Sequence, residues 1–452
     1  MPWIGADPQP ARAVRPAAAA VRLWSRLRSS LWFVPGLIVL GAATLAILLI
    51  DLGGPIGGEV AARWPRIFGA GADGSRGMLT AIATSMITVA GVVFSITIVA
   101  LSLAASQYSS RILRNFLTDR TNQAVLGVFV GIFGYCLIVL RTIRGGTEGK
   151  FVPPLAVLGG VVLAFVGIGV LVYFIHHIAT AIQASHILAA ASAETIRTVE
   201  RVFAEPLAEG ETEGTTPGPP SGGARQVLSA NRSGYLQTVD EAGLLRLARE
   251  RGIVIRMERG VGEFVIEDAP LMSLDVPGAI DPKLADRLRG LAPIGRQRTL
   301  DQDVSYGIRQ LVDVALKALS PGVNDTTTAV MCLNYLTAVT ARVTRRRLPP
   351  ADRFDGVTLR LTLHVPSYAA LVGEAFEQIR HQSEGNAAIL SRLLWSLETL
   401  TEVASTAGRR EVLRGEAIAT RESILRSTIP HEARRELELR ADRLLVLLAT
   451  VA

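Results

Sequence analysis

Cysteine is nearly absent from the chain. Two residues in 452, Cys136 and Cys332, exclude a disulfide framework and a cysteine metal quartet. Charge is scarce as well, at 19% of residues, and the centres of four long apolar runs hold no Asp, Glu, Lys, Arg or His. Proton- or ion-coupled carriers need such groups near mid-membrane, so their absence argues against secondary transport. No pair of interrupted runs suggests inverted repeats. The chain also lacks a Gly-rich loop ending in Gly-Lys-Ser/Thr and a His-Glu-x-x-His helix. Ser305 and Ser320 have no His or Lys nearby in sequence to complete a nucleophile-base pair. No enzyme, cofactor or metal is expected from these residues.

What is present is apolar length. Hydrophobic residues make up 49% and the mean hydropathy is +0.34. Residues 31–50, 78–103, 124–140 and 152–173 each approach the roughly 20 residues needed to cross a hydrocarbon core. Arg12, Arg15, Arg22, Arg26 and Arg28 precede the first run without a convincing cleavage site, which reads as a retained signal anchor. By the flanking-cation rule the N-terminus is cytoplasmic, and four spans return the C-terminal half to the same side. Arg111, Arg114 and Arg120 would then be cytoplasmic, whereas Arg63, Arg66 and Arg76, and Arg141, Arg144 and Lys150, would face outward.

The net charge of +7 divides evenly between the halves. Residues 1–224 hold 16 Lys or Arg against 12 Asp or Glu, and the remainder 31 against 28. The excess near the membrane suits anionic headgroups, and no nucleic-acid partner is expected. The organisation reads as a basic tail over 1–30, four membrane helices with a helical extension over 31–204, a Pro/Gly/Thr-rich linker over 205–224, and a cytoplasmic domain over 225–452. In that domain "GYLQTVD" predicts a strand and "EAGLLRLARERG" a helix ending near Gly252. "IVIRM" and "EFVIED" predict a hairpin across a Gly-containing turn, "VTLRLTL" a strand, and the rest beyond residue 282 is helical. The tail "LLVLLATVA" is too short to span and is expected to pack or pair. The fold class is therefore an α-helical integral membrane protein with four transmembrane helices, followed by a mainly α (α+β) cytoplasmic domain.

The most distinctive soluble stretch is "DQDVSYGIRQLVDVALKALSPGVNDTTTAV", residues 301–330. Asp303 can cap a helix whose apolar face is Ile308, Leu311, Val312, Ala315 and Leu319, while Arg309, Asp313 and Lys317 give ion pairs one turn apart. "SPGVND" breaks that helix, and Asn324 or Asp325 can cap the next. Together with "ALSLAASQYSSRILRNFLTDRTNQ", 100–123, this segment resembles the bacterial membrane-protein family DUF2254. The resemblance covers nearly the whole chain in order and implies this architecture in a bacterial inner membrane. The family's name marks a domain of unknown function, so the resemblance implies no catalytic residues. Asp301 and Asp303 have the spacing of a divalent-metal pair, but helix capping and solvation account for them more simply. His176, His177 and His186 point to different faces of one helix and cannot gather a metal there. Asp301, Asp303, Arg309, Asp313, Asn324 and Asp325 stand as a candidate coupling or ligand surface.

The second apolar run carries an unusual pattern. Thr80, Thr84, Thr88, Gly91, Ser95, Ser102, Ser106 and Ser109 fall within about 80° of one another at 100° per residue. Such a face either packs against helices or lines water. Small residues recur elsewhere, as Gly127 and Gly131 in the third run and Gly160 and Ala164 in the fourth, which fits packing. Yet the hydroxyl face extends about 30 residues, roughly 45 Å, longer than a bilayer core, and continues into an amphipathic segment with Ile112, Leu113, Phe116 and Leu117. Ile98 is the large apolar residue within it, a candidate gate by dewetting. The expectation is a homo-oligomeric, channel-like protein of the lipid bilayer with a cytoplasmic assembly or gating domain and an unspecified permeant ion or small solute. The alternative is a membrane-anchored sensor or scaffold that binds a ligand or partner through that domain.

Overall fold

The computed structural model describes residues 32–63, 71–107, 120–144, 151–181, 183–207, 225–276 and 278–449. The basic tail, Ser109, the amphipathic segment after the second span and nearly all of the 205–224 linker lie outside them. The chain divides into two compact units, the second beginning its main body at Gln183.

The first unit is built from four helices long and apolar enough to cross a membrane: α1 (Phe33–Arg63), α2 (Ala72–Gln107), α3 (Arg120–Thr142) and α4 (Pro154–Ala181). Glycine sets how closely they meet. A Cβ on Gly127 would lie 2.8 Å from the Pro35 Cα, so α1 and α3 touch backbone to backbone there. One turn on, Gly131 faces Ile38 and Ala42. On α4, a Cβ at Gly159 would lie 2.4 Å from the Tyr135 hydroxyl, and one at Gly160 would lie 2.7 Å from Leu79 Cδ2. That hydroxyl donates to the Ala156 carbonyl at 2.7 Å, so the buried tyrosine leaves no polar group stranded. Arg76, one of the cations on the outward side of the predicted topology, donates to the Ile143 carbonyl at 2.7 Å and caps the end of α3.

The second unit starts with α5 (Ala184–Val202), which the sequence assigns to the membrane half as an extension of the fourth span. The structure corrects this. α4 ends at Ala181, and Ile187, Leu188, Ala191 and Val199 of α5 are buried against α8 (Val304–Ala318) and α9 (Thr326–Thr344). Gly307 on α8 makes the contact close, since a Cβ there would lie 2.4 Å from Thr195 Oγ1. The strip after α5 pairs back onto the chain, with Arg347 N–H on the Glu205 carbonyl at 2.8 Å.

A five-stranded sheet, in the order β1 (Arg225–Ser229), β5 (Pro270–Asp275), β3 (Ile255–Met257), β8 (Thr358–Thr362), β7 (Asp352–Asp355), is antiparallel except for β3 beside β8. A smaller sheet holds β4 (Phe264–Val265), β2 (Gly234–Leu236) and β6 (Ile294–Gly295). The expected hairpin of "IVIRM" with "EFVIED" does not form, because the intervening glycine turn docks on β2. Gly262 N–H reaches the Leu236 carbonyl and Leu236 N–H the Glu263 carbonyl, so β4 enters the small sheet and β3 pairs with β5. Leu236, Leu244, Ile255, Met272, Leu274 and Leu361 form the core over which α6 (Glu241–Arg251) and α7 (Pro282–Leu291) lie. The helical remainder is α8, α9, α10 (Tyr368–Gln382), α11 (Ala387–Val403), α12 (Ala407–Arg426) and α13 (His431–Ala449). In the last of these Leu444 and Leu448 are buried, whereas Val446 and Leu447 are exposed.

Candidate functional site

Two regions hold the residues to which the sequence directs attention, one in each unit. On α2 the division of faces is sharp. Leu79, Ala83, Met86, Ala90, Val93 and Ala100 are buried, and their mean direction lies about 150° from that of the hydroxyl face at 100° per residue. Thr80, Thr84, Thr88, Gly91, Ser95 and Ser102 are all exposed, as is Ile98 at 46%. Ser106 ends the same helix. Among the described residues, therefore, no other helix covers this face. Gly91 differs from Gly127 in the same way, because a Cβ there would meet nothing within 4 Å. Thr88 donates to the Thr84 carbonyl at 2.8 Å, which satisfies that proton within the helix and leaves the oxygen lone pairs on the exposed side.

The second region is the 301–330 motif. Asp303 behaves as the sequence suggests, accepting from Tyr306 N–H at 2.9 Å to cap α8. It also takes both Nε and Nη2 of Arg298, at 2.8 and 2.9 Å, with its side chain 2% exposed. Burial works against the Arg298 charge, but the hydrogen bonds to Asp303 more than offset it and hold the guanidinium more firmly protonated than usual. The ring of Tyr306 supports the same group 5.2 Å away. Asp301 is separate: it is exposed, and its backbone carbonyl accepts from Arg201 at 2.9 Å. The Asp-x-Asp spacing does not become a metal pair, and no group of three or more His, Cys, Asp or Glu gathers for a metal among the described residues.

The remaining motif residues lie elsewhere along the same helix pair. Arg309 and Asp313 form an ion pair of 2.7 Å midway along α8. Asn324 takes a left-handed backbone (φ 48°) after the helix, and Asp325 caps α9 through Thr328 N–H at 3.0 Å and its hydroxyl at 2.6 Å. The Thr328 hydroxyl and N–H together pull the Asp325 carboxyl below its ordinary range. The 15 residues of α8, about 22 Å at 1.5 Å each, separate Asp303 from this end. The six candidate residues therefore do not share one surface.

Asp303 does open onto a cavity of about 560 Å³ within the second unit, a volume typical of small-molecule sites. Its wall is charged. Arg201 comes from α5, Arg259 and Glu263 flank the glycine turn, Arg298 precedes α8, Arg353 is on β7 and Glu374 is on α10. The turn approaches closely because Gly262 has no side chain: at φ 88° it has the Asp303 Oδ2 2.1 Å from where its Cβ would stand. Glu374 is pushed above the ordinary carboxyl range by burial, against the pull of Ser305 and Arg298. The raised value makes a contribution to stability that is present at low pH and lost as pH rises through it. Sequence reading reaches only Asp303 and Ser305 here. The available signal for the rest was "RGVGE", a Gly-x-Gly turn bracketed by opposite charges.

The arrangement of four apolar helices followed by this mixed domain matches one family along most of its length. Residues 28–399 fit the family described as "Predicted membrane protein (DUF2254)". The chain belongs to the DUF2254 family. Uncharacterized proteins of Mycobacterium bovis and Mycobacterium tuberculosis are each 34% identical to it over 379 residues, covering 82% of this chain and 71% of theirs. No solved structure matches it. As a DUF2254 protein it is a membrane protein with four apolar helices, and both the α2 face and the charged cavity fall inside the matched region.

Proposed function

We propose that this DUF2254 protein is a homo-oligomeric, channel-like protein of the bacterial inner membrane, with both termini cytoplasmic. Copies of α2 turn their hydroxyl faces to one another around a shared path, and the second unit assembles or gates the ring. The observation that carries this reading is the exposure of Thr80, Thr84, Thr88, Gly91, Ser95 and Ser102 on the side opposite the buried face. A row of alcohols gains nothing from lipid tails, so in a bilayer such a face is better matched by another helix or by water. The close-packing glycines of α3 and α4 are already used inside the protomer, whereas Gly91 is uncovered, which supports a contact between copies. Walls of uncharged hydroxyls give weak ion selectivity, and Ile98 supplies the apolar constriction.

Cysteine accessibility tests the reading. Thr84→Cys, Thr88→Cys and Ser95→Cys, made one at a time in a Cys136→Ala, Cys332→Ala background, are expected to react with a membrane-impermeant, water-borne thiol reagent in native membranes. Protection of all three would favour the dry anchor, in which the spans only tether a sensor domain.

A further inference from the structure

The charged cavity beside Asp303 carries a conclusion that does not depend on whether α2 is wet. We propose that it binds a small molecule bearing a phosphate group, held by Arg259, Arg201 and the open edge of Arg298.

The polar groups already committed within the cavity wall decide what it can hold. Arg298 spends Nε and Nη2 on Asp303, and its Nη1 edge makes no hydrogen bond among the described residues. Arg259 is freer still: its Nε is buried with no hydrogen-bond partner among the described residues, and its ion pair to Glu263 Oε2 is long, at 3.9 Å. Arg201 commits one nitrogen, to the Asp301 carbonyl. Arg353 is different, being tied to Glu241 and to the Pro350 carbonyl. Donors without acceptors are costly in a partly desolvated wall, so this wall is complementary to something that accepts.

The acceptors present do not fill that need. Asp303 is fully engaged by Arg298 and Tyr306 N–H, Glu241 is tied to Arg353, Glu263 Oε1 lies 3.5 Å from His364 Nε2, and Glu374 turns to Ser305. A phosphate presents three terminal oxygens and suits guanidinium forks approaching from several directions, where a carboxylate offers two. Asp303 serves a second purpose: it fixes Arg298 in place, so less ordering is left for the ligand to do.

The phosphate can belong to a soluble metabolite or to a lipid headgroup, and the test has an arm for each. The full-length protein in detergent is titrated with inorganic phosphate at constant ionic strength against chloride, following both calorimetric binding and thermal unfolding. In parallel, the protein is placed in phosphatidylcholine nanodiscs with and without phosphatidic acid. Saturable binding and a raised unfolding temperature are expected in one arm, and the arm that responds identifies the source. Arg259→Gln is expected to weaken that binding at least tenfold without lowering the unliganded unfolding temperature, because the side chain makes no short ion pair and its buried Nε has no acceptor to lose among the described residues. Arg421→Gln, on the surface pair with Asp442, controls for loss of positive charge and is expected to bind as the wild type. No saturable effect in either arm, or wild-type affinity in Arg259→Gln, would overturn the assignment.

Discussion

Arg409→Leu is expected to lower the thermal unfolding midpoint of the second unit by roughly 10 °C, the equivalent of about 3–5 kcal/mol at about 2–4 °C per kcal/mol. The side chain is 1% exposed at the start of α12 and reaches across to the end of α9. There it donates to the carbonyls of Val343, Thr344 and Arg346 at 3.0, 2.5 and 2.7 Å, with the Tyr368 ring 4.8 Å from its guanidinium carbon. A helix leaves its last carbonyls without partners, and here one buried cation satisfies those of α9 at once. Leucine fills part of the volume but strands the carbonyls away from water. Arg421→Leu offers the comparison, since its pair with Asp442 is 38% and 51% exposed and contributes at most about 1 kcal/mol. Circular dichroism melts of the two variants separate the cases: equal midpoints would show that Arg409 does not hold α9 and α12 together.

The second large effect concerns conduction. Ile98→Ser is expected to raise the conductance of the reconstituted protein about tenfold, because removing an apolar barrier of only ~1.4 kcal/mol changes a rate by that factor. Replacing one buried aliphatic side chain with a hydroxyl removes about 2 kcal/mol of apolar preference, so the barrier of a ring of copies is easily altered this much. Ile98 is on the uncovered side of α2, so the substitution leaves the packing of Leu79, Met86 and Val93 intact. Liposome flux or planar-bilayer recording measures the change. Unchanged conductance in a variant that still assembles would remove Ile98 as the gate.

Much of the frame could be read from residues near one another in sequence. Apolar runs announced the four spans, and the caps by Asp303 and Asp325 followed from local spacing. The face of Ile308, Leu311, Val312 and Ala315 is buried as its periodicity requires. What escaped is what depends on distant segments. The partner of β3 is decided by a glycine turn that prefers β2, which no alternation pattern in "IVIRM" records. α5 belongs with α8 because Gly307 admits Thr195, a contact spanning over a hundred positions. The cavity is the extreme case: Arg201, Arg259, Arg298 and Glu374 come from four separate segments, and only Arg259 stands in a local pattern, the glycine turn. For α2 the hydroxyl face is legible in the residues but its surroundings are not, and the described residues of the other three helices leave it bare.

That bare face makes assembly the central issue. Single-particle imaging of the full-length protein in lipid nanodiscs addresses it most directly. The account predicts a closed ring of copies with α2 innermost and Thr84, Thr88 and Ser95 turned to a solvent-filled axis. A lone protomer, or a ring whose α2 helices lie on the lipid-facing rim, would contradict it.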